Sequence, residues 1–379
     1  MKKIFLIICL LLSACAVQNE EIKKEKVFIG TLQDENGSMI LPLNTEVFLT
    51  FVRQSKKDAL YNDSQDILFS LHKLLDRHHY YLDDNNQRIT NLKVINEHFN
   101  EEIIIDSRLF DALKQAIELT KLTKGYFNLA IGKLSDVYDG YFNSYDTVRS
   151  DPSREEIDNA LNTVIPYEDI EEYIILNEEN KSITLKPYNG NEYIISLGAF
   201  SKGYVVDQIY NELTKYNTSF MISAGSSSIT AYVYDDEGIS WTIGSKDPND
   251  KNSLLYVYPL KNEFTSSSGD YEQYYINENS ILRHHILNPY TGYSENYYRA
   301  VELKSNKNSG VIDALSTAIF SIEDLDQIIE IINNIENYYN MKIDYCLLKD
   351  DYSMTISKDF ADVLIKSYTS NKISEMIIK

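Results

Sequence analysis

Apolar positions recur along this 379-residue chain in two rhythms, a helical one of 3.6 residues and a strand rhythm of two. Ile67, Leu68, Leu71, Leu74 and Leu75 share one helical face and predict a helix over 66–75. A firmer one is predicted over 106–124, where Leu109, Phe110, Leu113 and Ile117 repeat at helical spacing. Asp106 suits its N-cap and Gly125 can end it. A further helix starts near Phe200, with Val205, Val206, Ile209 and Leu213 inward, and two more are predicted over 313–320 and 325–335. Strand patterns fall at 45–52, 173–176, 183–185, 193–195, 221–223, 229–234 and 241–244, several bounded by Asn- or Gly-bearing turns such as Asn189-Gly190. Residues 345–348 and 353–357 read as a late hairpin. Helices and strands mix without a steady strand–helix–strand alternation, which predicts an α+β fold of antiparallel sheets with packed helices.

The first residues follow a different pattern. Lys2 and Lys3 precede an unbroken apolar run over 4–12, and Leu12-Ser-Ala-Cys15 follows. A span of about 20 residues is needed to cross a bilayer, so the run reads as a secretory signal peptide. Its last four residues match a bacterial lipobox, in which Cys15 is lipidated, with palmitate among its acyl chains, and becomes the mature N-terminus. The expected organisation is a signal peptide over 1–14, a lipidated, flexible tether over 15–30 and one domain over 31–379. The expected location is the extracytoplasmic side of the cell membrane, held by the lipid.

Charge and cysteine content narrow the picture. The net charge is −21, which excludes nucleic-acid binding through a general field. A polyanionic substrate would need a divalent cation or a local positive group. Cys9 lies in the signal peptide and Cys15 in the lipobox, so only Cys346 remains in the mature chain and no internal disulfide forms. Its neighbours Tyr345, Leu347 and Leu348 make it a packing residue. No Cys/His cluster has zinc spacing.

Four segments carry candidate chemistry. They are Thr123-Lys-Gly-Tyr-Phe-Asn128, Ser196-Leu-Gly-Ala-Phe-Ser-Lys-Gly-Tyr204 with Asp207 three residues on, His284-His-Ile-Leu-Asn-Pro-Tyr-Thr-Gly292, and Asp313-Ala-Leu-Ser-Thr317. Each has a plain structural alternative. Gly125 serves as a helix terminator. Gly198 and Gly203 open a helix whose N-terminal amides favour anions, and Lys202 could touch a phosphate. Asn288-Pro289 and Thr291-Gly292 form a turn. Asp313 and Thr317, four apart, share one face of a surface-facing helix and suit either a metal or simple capping. His285 could be a satisfied structural histidine.

The order and spacing of these segments resemble the ApbE family of FAD:protein FMN transferases, whose T-fold type architecture agrees with the α+β expectation. The resemblance covers about residues 45–320. It implies transfer of FMN from FAD to a Thr or Ser hydroxyl of an exported acceptor flavoprotein, with magnesium present and AMP released. By position it implies Ala199, Asp313, Ser316 and Thr317 as metal ligands and His285 as the base. Tyr126, Phe127, Asn128, Ser196, Lys202, Ile286 and Leu287 would contact FAD. The acceptor would belong to a membrane or extracellular electron-transfer chain. The chemistry is consistent: magnesium prefers hard oxygen donors and keeps positions for waters and phosphates, and an imidazole can take the proton of a hydroxyl nucleophile.

Several positions depart from the family pattern. Ser196 and Asn128 stand where Asp is common, Asn288 replaces an Asp, Ala224-Gly225-Ser226 replaces A-G-G, and Leu43-Asn44-Thr45 replaces M-G-T. Two other functions remain open on the sequence: a magnesium-dependent FAD pyrophosphatase giving FMN and AMP, and a lipoprotein that binds flavin without chemistry.

Overall fold

The computed structural model describes residues 23–143, 148–235 and 239–379. The signal-peptide and lipobox readings, Cys15 included, lie outside the described residues. Among the described residues no helix is long and apolar enough to cross a membrane.

A nine-stranded sheet organises the molecule, and its strands lie side by side in chain order. They are β1 (Glu25–Phe28), β2 (Val47–Phe51), β3 (Phe220–Ala224), β4 (Ser228–Tyr232), β5 (Glu263–Gly269), β6 (Ala300–Ser305), β7 (Ile343–Leu348), β8 (Ser353–Ile356) and β9 (Glu375–Ile378). Every neighbouring pair is antiparallel except β8 and β9. The interest therefore lies in what is inserted between neighbours. Between β2 and β3 come α1 (Lys57–Leu75), α2 (Ser107–Leu122) and α3 (Ser201–Leu213), with a small sheet of Glu102–Ile104, Ser182–Leu185 and Ile174–Asn177. Between β4 and β5 comes a hairpin of Trp241–Asp247 and Asp250–Leu260. Between β6 and β7 come α4 (Ser309–Phe320) and α5 (Leu325–Tyr339).

Alternation along the strands sorts these insertions onto the two faces. Val301, Leu303, Tyr345 and Leu347 face one core, shared with α3, α4 and the other helices. Ala300, Cys346 and Leu348 face a second core, closed by Tyr256, Tyr258 and Trp241 of the hairpin and by Phe360. Antiparallel sheet with packed helices is thus the observed α+β arrangement.

Most expected elements are present, and the differences have physical causes. The helix expected over 66–75 begins at Lys57. Its first two turns bury only Leu60 and Ser64, too sparse an apolar stripe to show in the sequence. The strand expected over 193–195 forms no ladder. Instead the Asn96 side chain acts as a one-residue strand, accepting from Ile195 N at 2.8 Å and donating to Ile195 O at 3.0 Å. The tether does not extend to residue 30: Glu25–Phe28 forms the edge strand β1, and Ile29 beyond it is fully buried. Finally, α4 is not a surface-facing helix. Its residues from Ser309 to Ser316 and from Ala318 to Phe320 are all buried, so Asp313 lies inside the protein.

Candidate active site

α3 and α4 cross where both lack side chains. A Cβ on Gly203 would sit 2.3 Å from Ser309 O and 2.8 Å from Asp313 Cβ, and one on Gly310 would meet Tyr204 N at 3.1 Å. Backbone can approach backbone only because both positions are glycine. At this crossing the Gly203 amide, which in a regular turn would close on the Ala199 carbonyl, donates to Asp313 Oδ2 at 3.0 Å. Ser266 Oγ of β5 donates to Asp313 Oδ1 at 3.2 Å. Lys202 Nζ stands 3.7 Å from Oδ2. The Asp313 carboxylate is thus 3 % exposed, fixed by two neutral donors, and close to a cation without a tight ion-pair contact.

Ser316 and Thr317, one turn on, both hydrogen-bond to the Asp313 carbonyl, at 3.0 and 3.3 Å. Ser316 Oγ also meets Ser268 Oγ of β5 at 2.9 Å. Ser266 and Ser268 are two apart on β5 and so face the same helix. Neither stood out in the sequence: the run Thr265-Ser-Ser-Ser-Gly269 carries little apolar signal, and its partners are more than 40 residues away.

The histidines divide cleanly. His284 is fully buried. Its Nε2 lies 2.8 Å from Glu295 O, its Nδ1 accepts from Ile286 N at 3.3 Å, and its ring packs edge-on to Phe320. Both nitrogens are occupied, and burial lowers its pKa to about 3. His285 is exposed, with Nδ1 3.3 Å from Gln273 O. Surrounding protein lowers its pKa, the Gln273 carbonyl opposes this, and the charge of Lys202 adds to the lowering. Solvent damps the shift, but its direction keeps the ring neutral near pH 7. Lys202 thus links this imidazole to the Asp313 locality.

The remaining segments join the same region. Tyr290 donates to Lys124 O, and its ring meets Tyr126 edge-on at 5.1 Å. Ser196 N bonds Leu129 O at 2.8 Å, and Phe127 lies 6.5 Å from Phe200 between ring centres. The structure therefore brings the four segments together. It does not give all of them free side chains. Phe127, Ile286 and Leu287 are buried in the cores. Asn128 is buried, donates to Ile165 O at 2.8 Å and accepts from Ala130 N at 2.9 Å. These side chains are packed inside the protein, while Tyr126, Ser196 and Lys202 are only partly buried.

Two departures from the family pattern retain the backbone. Asn44 and Ser226, at positions where the family motifs carry glycine, adopt positive φ of 53° and 58°. Asn tolerates this region better than most residues. The two turns also touch: a Cβ on Gly225 would meet Thr45 Oγ1 at 2.5 Å. His72, buried in α1, accepts from Leu43 N at 3.2 Å and so supports the first turn.

Comparison with known proteins bears on this arrangement. The sequence model of the ApbE family matches residues 44–341. The chain belongs to the ApbE family. It is 27 % identical over 254 residues to the FAD:protein FMN transferase of Haemophilus influenzae, covering 66 % of this chain and 70 % of that one. The FAD:protein FMN transferase of Klebsiella pneumoniae is 25 % identical over 236 residues, covering 62 % and 68 %. Among solved structures, the ApbE protein of Thermotoga maritima superposes with a TM-score of 0.70 at 22 % identity, over 92 % of this chain and all of that one. The flavin transferase ApbE of Vibrio cholerae superposes at 0.65 with 17 % identity, over 90 % and 100 %. At those identities the superpositions establish a shared ApbE fold.

The donor set fits a magnesium ion. Among the described residues no three His, Cys, Asp or Glu side chains gather as a metal cage. Magnesium needs none, since it takes one or two carboxylates and fills the rest of its octahedron with waters and substrate phosphates. Asp313, the Ser316 and Thr317 hydroxyls and the Ala199 carbonyl are hard oxygens. Because both hydroxyls spend their protons on the Asp313 carbonyl, lone pairs remain to face a cation.

Proposed function

We propose that this ApbE-family chain transfers the FMN half of FAD to a Thr or Ser hydroxyl of an exported acceptor flavoprotein, releasing AMP, in a magnesium-dependent reaction. Support comes from the relatives named FAD:protein FMN transferase and from one observation above all: Lys202 stands 3.7 Å from a buried, pre-oriented Asp313 carboxylate, and its charge adds to the lowering of the pKa of the solvent-facing His285. Flavin binding alone would call for neither the oriented carboxylate nor the base.

In this reading Asp313, Ser316, Thr317 and the Ala199 carbonyl would hold magnesium, which when bound neutralises charge on the pyrophosphate. The ammonium of Lys202 faces the same phosphates and stabilises the charge that grows on their oxygens as the acceptor attacks. Tyr126 and Ser196 contact FAD, and Phe127, Asn128, Ile286 and Leu287 hold the pocket wall. With Nδ1 donating to Gln273 O, the neutral His285 ring presents an Nε2 lone pair. That nitrogen takes the acceptor proton as the acceptor oxygen bonds to the FMN phosphorus. The phosphorus–oxygen bond to the AMP phosphate breaks, and AMP leaves with the electron pair.

The exposure of His285 supports a second reading, FAD pyrophosphatase, in which water takes the acceptor's place. The two separate by following AMP and free FMN in the presence of FAD, magnesium and an acceptor. Transfer gives AMP without free FMN, and only when acceptor is added; hydrolysis gives both without acceptor. No AMP under either condition rejects both. For the address, we propose attachment to the extracytoplasmic face of the membrane through lipidated Cys15. Native chain that is soluble and uncleaved would reject it.

A further inference from the structure

Some helices here satisfy a first-turn amide with the side chain of their own N-cap residue. Asp106 caps α2 by accepting from Arg108 N, and Asp324 caps α5 by accepting from Asp326 N. α4 is capped from a distance instead. Its N-cap residue, Asn308, is in the left-handed region at φ 60° and makes no side-chain cap hydrogen bond. The cap comes from a residue 102 positions earlier. Asp207 of α3 accepts from Ser309 N at 2.6 Å with Oδ1 and from Gly310 N at 2.9 Å with Oδ2.

The placement of this carboxylate is specific. Asp207 stands five residues after Lys202 and four after Gly203 on α3. The amides it accepts from stand four and three residues before Asp313 on α4. One side chain therefore ties the helix bearing Lys202 to the helix bearing Asp313, one turn from the Gly203–Asp313 hydrogen bond. Burial pushes the Asp207 carboxyl up to about 7, with the Gly310 and Ser309 amides pulling back and Asp313 adding to the rise; the two amide bonds themselves hold the carboxyl at the N-terminal end of α4.

We infer that Asp207 is a positioning residue for the metal and phosphate site: as the cap of α4 supplied from α3, it sets the register of Asp313, Ser316 and Thr317 against Lys202. This rests on the reading of those residues as a magnesium site. Metal ligands must be held to within about 0.2 Å. A helix whose first turn is uncapped frays over that turn, and here the next turn carries the carboxylate. A general stabilising role would act on folding alone, whereas a register role acts on metal affinity in a chain that remains folded.

The test compares the mature chain with Asp207→Asn, which keeps one acceptor oxygen, and Asp207→Leu, which keeps the shape and removes both. Manganese, as a magnesium probe, is titrated by its electron spin resonance signal without FAD, and melting is recorded alongside. Half-saturating magnesium is then measured for FAD turnover. Both metal constants should rise about 10-fold for Asp207→Asn, and further for Asp207→Leu, in the range usual for groups that orient metal ligands. Turnover at saturating magnesium should recover to within about threefold for Asp207→Asn, because register alone is at fault. Should Asp207→Leu fail to fold, Asp207→Asn decides. Folded Asp207→Asn with unchanged metal constants and a lowered melting point overturns the inference alone. A wild-type chain that binds no manganese and turns over no FAD overturns the inference together with the reading beneath it.

Discussion

The two faces of the central sheet each bury a carboxylate, and the two are treated in opposite ways. On the hairpin face, Glu302 of β6 accepts from Tyr256 and Tyr258 hydroxyls, both at 2.6 Å. Ser245 adds a third hydroxyl, Cys346 and Thr265 stand behind the tyrosines, and among the described residues no lysine or arginine hydrogen bond to it is found. Burial pushes the Glu302 carboxyl up, with the tyrosine bonds pulling only partly back. On the helical face, Asp313 keeps two neutral donors and a lysine at 3.7 Å, and hydroxyls with spare lone pairs crowd the next turn. A buried carboxylate closed off by neutral hydroxyls is an interior hydrogen-bonding group. One left beside a cation and a set of oxygens is prepared to share its charge with something else. Burial alone therefore does not distinguish structure from chemistry; the kind and saturation of the partners does.

Removing each carboxylate in turn should affect the two faces very differently. Asp313→Ala should lower magnesium-dependent FAD turnover by about 10²-fold or more, the scale seen when an oriented electrostatic group is lost. Because Asp313 is buried, the same change should also lower the melting point, and turnover must be measured where the variant is folded. Glu302→Gln should leave turnover within about twofold. Equal losses from both would remove the distinction between the faces.

Next comes the pair of histidines. His285→Ala should slow single-turnover transfer by about 10²-fold with FAD affinity nearly unchanged, the signature of a general base. His284→Ala should act on stability, by about 1–3 kcal/mol, because its two backbone partners lose their bonds inside the core. The acid limb of the wild-type rate profile should lie below the ordinary imidazole value of about 6.5, since the ring accepts a proton only when neutral and its pKa is lowered. A limb at or above that value contradicts the lowered pKa of His285.

The smallest effect concerns pH and Glu302. Its native pKa is raised, so its contribution to stability is fully present below the unfolded value of 4.5 and is lost as pH rises through the native value. Glu302→Gln cannot titrate. The difference in melting point between variant and wild type should therefore move in the variant's favour from pH 4.5 upward. A constant difference would mean that Glu302 is not raised.

Much of this was legible in the sequence, in proportion to how local the interaction is. The firm helix with its Asp106 cap and Gly125 terminator, the late hairpin and the four chemical segments depend on contacts within a few residues or on recognisable spacing. What escaped depends on distant partners. Ser266 and Ser268 matter because β5 lies under α4, and the idle strand at 193–195 arises because Asn96 replaces a ladder; Asp207 was noted with its segment, but its capping of α4 depends on the crossing of α3 and α4. The inward burial of Asp313 was also misread, since an Asp/Thr pair four apart looks like a wet helix face until the apolar residues around all sides of 309–320 are weighed. Of the two adjacent histidines, His284 has both nitrogens occupied, which leaves His285, the base that the resemblance implies, as the exposed imidazole.

The central claim is that the helical face performs flavin transfer to another protein. Its most direct test is the intact mass of an exported flavoprotein acceptor incubated with this chain, FAD and magnesium. The account predicts that the acceptor gains the mass of one FMN less one water, that EDTA abolishes the gain, and that Asp313→Ala and His285→Ala suppress it while Glu302→Gln does not. An acceptor of unchanged mass, with FAD cleaved to free FMN and AMP, would contradict it.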